Sequence, residues 1–455
     1  MNEIVRIVDS LRVSALVMLG AALLVVAIPS GIVAAQPAPV TLMYGGNLDG
    51  ELEPCGCAET GNMGGLKRHV TVIDDARRIQ PDLLLISSGG LLSSVHAHER
   101  ITGDFILQGI AKMGYDAVGV QWADLAYGAP FVAPYGLPWV SSNWRGDTFA
   151  PERIVEKQGR RFAVFSWLDP DTSPQADVRA GGNPVDARAA SVMTRIRAAR
   201  AGGAVTILLT TLSTDKAATL FDLSSVDILF VESGYEKYAE PVLKDGTLIL
   251  RPGSRGMRFG RLGIEFAGSG RIASFTHDVI TMPPDVADSP RMQDWYVAYN
   301  AAIKAAYERS VAVRKAADSG SRPYVGVDAC KACHAQEHAV WSQTKHARAY
   351  DALDLVGKAF DEDCIGCHTV GFNRDGGFID KDVTSHLANV QCESCHGPGR
   401  THAASGGKER TAHADWQPAQ MCGQCHVPKH SPEFDLNRYW PRIDHHRAKA
   451  AMIPN

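Results

Sequence analysis

The chain has 455 residues, 45% of them apolar and 21% charged, with a formal net charge of −4. That length calls for more than one domain, and the near balance of charge excludes nucleic acid as a partner. Eight of the ten cysteines fall in four regular pairs near the C-terminus, which sets aside a scattered disulfide framework.

In chain order, residues 1–12 are polar and charged and include Arg6 and Arg12; an uncharged apolar run then extends from Val13 to Ile28. Val33-Ala34-Ala35 offers small residues for cleavage. The pattern predicts a secretory signal peptide over residues 1–35, and therefore a periplasmic protein. The run is short for a membrane span and Pro29 breaks it. Membrane association is expected only if this segment is retained.

Residues 36–283 alternate β-like runs such as Asp82 to Ile86 and Ala204 to Leu209 with helical stretches such as Asp186 to Ala201. That alternation predicts an α/β domain. Pro283-Pro284 closes it, and residues 284–323 read as a helical linker. Ser289 is its expected N-cap, Pro290 its first turn, and Ser319 to Pro323 its joint.

Residues 324–455 hold the pentads Cys330-Lys331-Ala332-Cys333-His334, Cys364-Ile365-Gly366-Cys367-His368, Cys392-Glu393-Ser394-Cys395-His396 and Cys422-Gly423-Gln424-Cys425-His426. Each reads as a c-type haem attachment site, with two thiols for thioethers and a histidine for the iron. Paired zinc knuckles lie about 15–20 residues apart, whereas these pairs are separated by 30, 24 and 26 residues. Zinc also has no need of a histidine after every pair. The expected cofactor is haem c, four and covalent. So small a domain cannot bury a large core, so short helices and loops around the macrocycles are expected, with little sheet.

The run from Cys364 to Phe372, the Gly376-Gly377-Phe378 after it and Cys392 to Arg400 resemble the tetrahaem cytochrome c-554 family, as do Trp341 and Lys345-His346-Ala347-Arg348-Ala349. In that family electrons arrive from hydroxylamine oxidoreductase and leave toward membrane carriers. Three haems have two histidine ligands and the second has an open distal face. The resemblance implies His346 as distal ligand of the third haem and His402 of the first. His413 is the candidate for the fourth. His386, His430, His445 and His446 are spare histidines that would close the second site, with His386 the one best tied to the haem cluster.

Residues 40–282 look like the 5'-nucleotidase-like metallophosphatases in block order, which implies an α/β sandwich. The blocks are Gly46-Asn47-Leu48-Asp49-Gly50, Ser87-Ser88-Gly89-Gly90, Gln121-Trp122-Ala123-Asp124, Thr210-Thr211, Val231-Glu232-Ser233-Gly234 and Arg251-Pro252-Gly253-Ser254. The ligand residues are replaced: Asn47, Gly90, Trp122, Ala123 and Thr211 stand in their places. Only Asp49 and Glu232 remain as carboxylate candidates, too few for a two-metal centre. Hydrolysis is not expected.

Glu53-Pro54-Cys55-Gly56-Cys57 follows the first block. Cys55 and Cys57 are candidates for a structural disulfide, a soft-metal site or a redox-active pair. His96 and His98 read as surface residues. The leading expectation is an electron carrier with redox partner proteins. The alternative is a redox enzyme that takes a small nitrogen or sulfur compound at an open haem or at Cys55 and Cys57.

Overall fold

The computed structural model describes residues 39–54, 62–93, 99–176, 184–232, 238–427, 430–431 and 433–445. Two six-stranded sheets lie face to face. In the first, β1 (Val40–Gly45), β2 (Leu84–Ser87), β3 (Ala117–Gly119) and β4 (Trp139–Val140) run parallel. The second contains β5 (Arg153–Lys157), β6 (Arg160–Trp167), β7 (Val205–Thr210), β8 (Ile228–Phe230), β9 (Ala239–Lys244) and β10 (Thr247–Arg251). The chain then returns to the first sheet with β11 (Arg258–Phe266) and β12 (Ile272–Thr281), antiparallel to each other. The orders are β12-β11-β1-β2-β3-β4 and β5-β6-β7-β8-β10-β9.

The composition of the strands explains their places. Every residue of β2 and of β7 is buried, as parallel strands covered on both faces require. β12 lies at an edge and exposes most of its residues. Two hairpins join antiparallel neighbours. Gln158-Gly159 and Asp245-Gly246 have φ of 52° and 71°, and of 50° and 82°. Positive φ at both central positions is the turn geometry that matches strand twist.

Leu42, Tyr44 and Ile86 of the first sheet meet Phe162, Leu209 and Phe230 of the second between the layers. Helix α1 (Leu66–Ile79) and helix α2 (Glu99–Ala111) cover the outer face of the first sheet, and α3 (Ala189–Ala201) that of the second. Each fully buried Leu, Ile or Phe contributes about 1.5–3 kcal/mol.

Residues 290–292 form a 3-10 turn, and Ser289 before it makes no side-chain capping bond. The long helix α4 (Gln293–Ala317) follows. Trp295, Tyr299 and Ile303, spaced by four, bury one stripe of its first half in the α/β core. Trp295 Nε1 donates to Phe105 O at 3.0 Å. Its second half reaches the later region, where Arg314 pairs with Glu362 at 2.9 Å.

Beyond residue 323 the elements are short: α5 (Val327–Lys331), α6 (Ala349–Leu355), α7 (Glu362–His368), α8 (Cys392–His396) and α9 (Pro418–Cys422). Their apolar core is eight buried residues, including Tyr350, Ile365, Val370 and Phe378. An α/β sandwich followed by short helices and loops is the architecture the sequence led us to expect. Among the described residues, no helix is long and apolar enough to cross a membrane.

Candidate haem-binding region and the pocket of the sandwich

Cys-x-x-Cys-His places its three reactive side chains at i, i+3 and i+4, positions that share one face of a helical turn. The pentads adopt such turns. His334 N donates to Cys330 O at 3.0 Å, and His426 N to Cys422 O at 2.9 Å; the second and third pentads lie within or fill α7 and α8. No pentad cysteine forms a disulfide among the described residues.

Two imidazoles that share one metal ion, each bonded at ~2.0 Å, have ring centres about 6 Å apart. Three histidine pairs stand at that spacing. The ring centroids of His334 and His402 are 6.1 Å apart, those of His346 and His426 6.2 Å, and those of His396 and His445 5.9 Å. Hydrogen bonds orient several of the rings. His402 Nδ1 meets Glu409 O at 2.7 Å, His426 Nδ1 meets Ser431 Oγ at 3.0 Å and His368 Nδ1 meets Ala349 O at 2.5 Å. Such second contacts fix the tautomer and leave Nε2 free to bind a metal. Burial lowers the pKa of His346, and the neighbouring His426 and His368 lower it further; burial alone lowers that of His426. Both effects favour the neutral imidazole that binds metal. The donor set therefore fits covalent haem: paired thiols and an imidazole on each turn, with a second imidazole opposite three of them.

The pairing departs from expectation at two positions. His346 faces His426 of the fourth pentad, not His396 of the third. The turn that carries it is fixed by a bond from Val390 N to His346 O (3.2 Å), and Trp341 Nε1 donates to Val390 O at 2.8 Å. His413 does not face His426; it stacks on Trp416 at 3.7 Å, with its Nδ1 3.0 Å from Cys395 O. His445, weighed only as a spare, is the ring opposite His396. His386 lies against Gly326, and its carbonyl accepts from Gln391 Nε2 at 2.8 Å. Among the described residues no histidine ring stands opposite His368 at the paired spacing. His402 faces His334 of the first pentad.

The Cys330 thiol contacts that of Cys392, and the Cys425 thiol contacts that of Cys367. The first pentad thus neighbours the third, and the second neighbours the fourth. Cysteines of the second, third and fourth pentads open into one cavity of about 1830 Å³. Its far wall belongs to the α/β region, where Glu53 accepts from Lys358 Nζ and from Tyr296 OH. Burial opposes the charge of Lys358, but the Glu53 carboxylate prevails and holds its pKa above the usual value.

Sequence reasoning missed Glu393, inside the third pentad. It is buried, and its carboxylate accepts from Val325 N, Gly326 N (2.8 Å) and Gly399 N (2.7 Å). One side chain thereby ties the entry to the first pentad to the exit from the third. Only its place between two haem cysteines could have drawn notice.

A second, smaller pocket of about 320 Å³ opens where strands of both sheets end. Asn47 follows β1, Ser88 follows β2, Gln121 and Trp122 follow β3, Thr211 follows β7 and Glu232 follows β8. Gln121 Nε2 donates to Asn47 Oδ1 at 2.8 Å and to Ser88 O at 3.0 Å. Beneath it, Asp124 accepts from Gly90 N (2.9 Å), Leu91 N (2.6 Å) and Gln121 N (2.9 Å). Burial pushes its pKa up to about 6 against those donors. A Cβ at Gly90 would stand 2.5 Å from Asn47, so this close turn requires glycine. Asp49 lines the large cavity and Glu232 the small one. Among the described residues no three His, Cys, Asp or Glu side chains gather as a metal site. These residues do not fit a two-metal centre, and no hydrolytic step follows from them. Cys55, Cys57, His96, His98, His446 and the segment 1–35 lie outside the described residues.

Residues 329–397 match the family model described as cytochrome c554 and c-prime. Cytochrome c-554 of Nitrosomonas europaea is 37% identical over 93 residues, which are 17% of this chain and 40% of that protein. The chain thus spans less than half the length of the curated relative it matches. In fold, the chain is similar to a 5'-nucleotidase precursor from Thermus thermophilus (17% identity, TM-score 0.49, 58% of this chain and 59% of that one). It is likewise similar to the sulfate thiohydrolase SoxB of the same organism (16% identity, TM-score 0.49, 58% and 60%). Over residues 329–397, which hold the first three pentads, the chain is similar to the cytochrome c554 and c-prime family.

Proposed function

We propose that the chain is an exported c-type cytochrome that carries electrons through four covalently bound haems. The observation that carries this reading is the set of four pentads with a second histidine ring opposite three of them, at the spacing of a shared metal ion. The residues that would hold the haems are the eight pentad cysteines, with His334 and His402 on the first, His368 on the second, His396 and His445 on the third, and His426 and His346 on the fourth. Bound haem supplies a one-electron centre, and two neutral imidazoles suit transfer because the iron changes little in geometry on reduction. The protein's part is to fix those rings by their Nδ1 contacts and to hold the sites in pairs. Neighbouring thiols, including Cys395 of the third pentad beside Cys422 of the fourth, support the order first, third, fourth, second along the path. Redox proteins are the expected partners on either side. The apolar run from Val13 to Ile28 supports export to the periplasm.

A pyridine haemochrome assay on the purified chain tests the reading. Four haems per chain are expected; two or fewer would end it.

The second reading is a redox enzyme at the second haem. It is favoured by His368, which lacks a facing histidine ring among the described residues. Glu53 and Pro54, which lead to Cys55 and Cys57, line the same cavity as His368. An open iron position suits the binding of a small nitrogen or sulfur compound. Cyanide or nitric oxide should then change the ferric spectrum of one haem in four. If neither does, the enzyme reading is lost and the carrier stands.

A further inference from the structure

We propose that the pocket between the two sheets binds a small organic cation, an ammonium compound that also carries a hydroxyl or amine group. This site is distinct from the haem cavity and does not depend on the electron-transfer reading.

The fold builds the pocket. Loops that leave five parallel strands, three from one sheet and two from the other, converge on it. Carboxyl ends of parallel strands are where α/β folds bind ligands. Its volume of about 320 Å³ is at the small end of ligand sites. Its chemistry selects the charge of the occupant. Among its described lining residues none is Lys, Arg or His, and Glu232 is the carboxylate. A phosphate or sulfate group would meet no cationic side chain among the described lining residues. A cation would meet Glu232 and the indole of Trp122. The indole is held in place because its Nε1 donates to Asp169 O at 2.7 Å.

A second observation points to a ligand. Ser88 is only 8% exposed, lines the pocket, and its Oγ has no hydrogen-bond partner among the described residues. Buried hydroxyls are nearly always satisfied, and one left unpaired costs stability. An ammonium or hydroxyl group in the pocket would satisfy it. Asn47 and Gln121 are locked to each other and supply a fixed polar wall.

Isothermal titration calorimetry of the haem-loaded full chain with ethanolammonium and with choline tests this. Inorganic phosphate, with and without manganese, serves as the opposite probe. Binding of either amine is expected, and no binding of phosphate under either condition. Glu232→Gln should weaken the amine by about tenfold, as loss of one charge-assisted contact implies. Ser88→Ala should also weaken it, while the unliganded variant melts higher than the parent because the unpaired hydroxyl is gone. Failure of both amines to bind would overturn the proposal. So would phosphate binding with manganese, or amine affinity unchanged in Glu232→Gln. Haem content and spectra should not move in either variant, which keeps this test apart from that of electron transfer.

Discussion

The α/β region and the candidate haem-binding region differ in what holds them together. The first buries three apolar clusters, the largest with thirty residues, and packs sheet on sheet and helix on sheet. The second has one cluster of eight buried apolar residues under helices of at most eight residues. Its remaining order comes from polar ties such as Glu393 and, on the proposed reading, from attachment of the chain to its haems. One region is stable by area removed from water; the other, with so small a core, would depend on the proposed haems, as small metal domains depend on their metal. Helix α4 belongs to both, with one half in the large core and the other beside Glu362.

The largest test of that contrast is to withhold haem. Cells lacking haem attachment should yield a chain whose α/β region resists limited proteolysis while the part beyond residue 323 is cleaved. A protease-resistant haem-free C-terminal region would break the comparison.

Glu393→Ala should cost about 3 kcal/mol, because three backbone N–H donors lose their buried acceptor together. The loss should be seen as a lower melting temperature of the haem absorbance, with the far-ultraviolet melt of the α/β region unchanged. Equal shifts in both signals would mean that the regions melt as one body.

Acid should act on the α/β region through His69. It is fully buried, its Nε2 donates to Gly256 O at 2.6 Å, and burial lowers its pKa to about 4. Above pH ~6.5 the ring is neutral folded or unfolded, and contributes no pH dependence. Below that, the unfolded chain binds a proton that the folded one refuses. Stability should therefore fall by about 3 kcal/mol as pH drops from ~6.5 toward 4. Chemical denaturation across that range should show the decline, and His69→Gln should flatten it.

The smallest effect on stability, though plain in spectra, is expected from the distal histidines. His445→Ala should convert one low-spin haem to high spin, and His413→Ala should convert none. The reverse outcome would restore His413 as a ligand.

How far the sequence revealed the molecule depends on whether a feature is local. The pentads were legible because their chemistry needs residues one helical turn apart. β7 was legible because six consecutive buried residues read as an apolar run. Ser289 stands at the N-cap and Pro290 in the first turn as read, but that turn is 3-10 and the Ser289 hydroxyl makes no capping bond. The facing histidines were legible only in part. The partner of His346 is decided by tertiary contacts through Val390 and Trp341, and no spacing along the chain encodes them. Asp49 and Glu232 looked like remnants of one centre, yet they face different cavities. Glu393 looked like filler between two cysteines and proves to be a buried tie.

Electron paramagnetic resonance of the oxidised, haem-loaded protein tests the central claim most directly. The account predicts three low-spin ferric haems from the three histidine pairs and one high-spin haem at His368, whose signal is lost on adding cyanide. Four low-spin haems, or a high-spin signal that cyanide leaves unchanged, would contradict it.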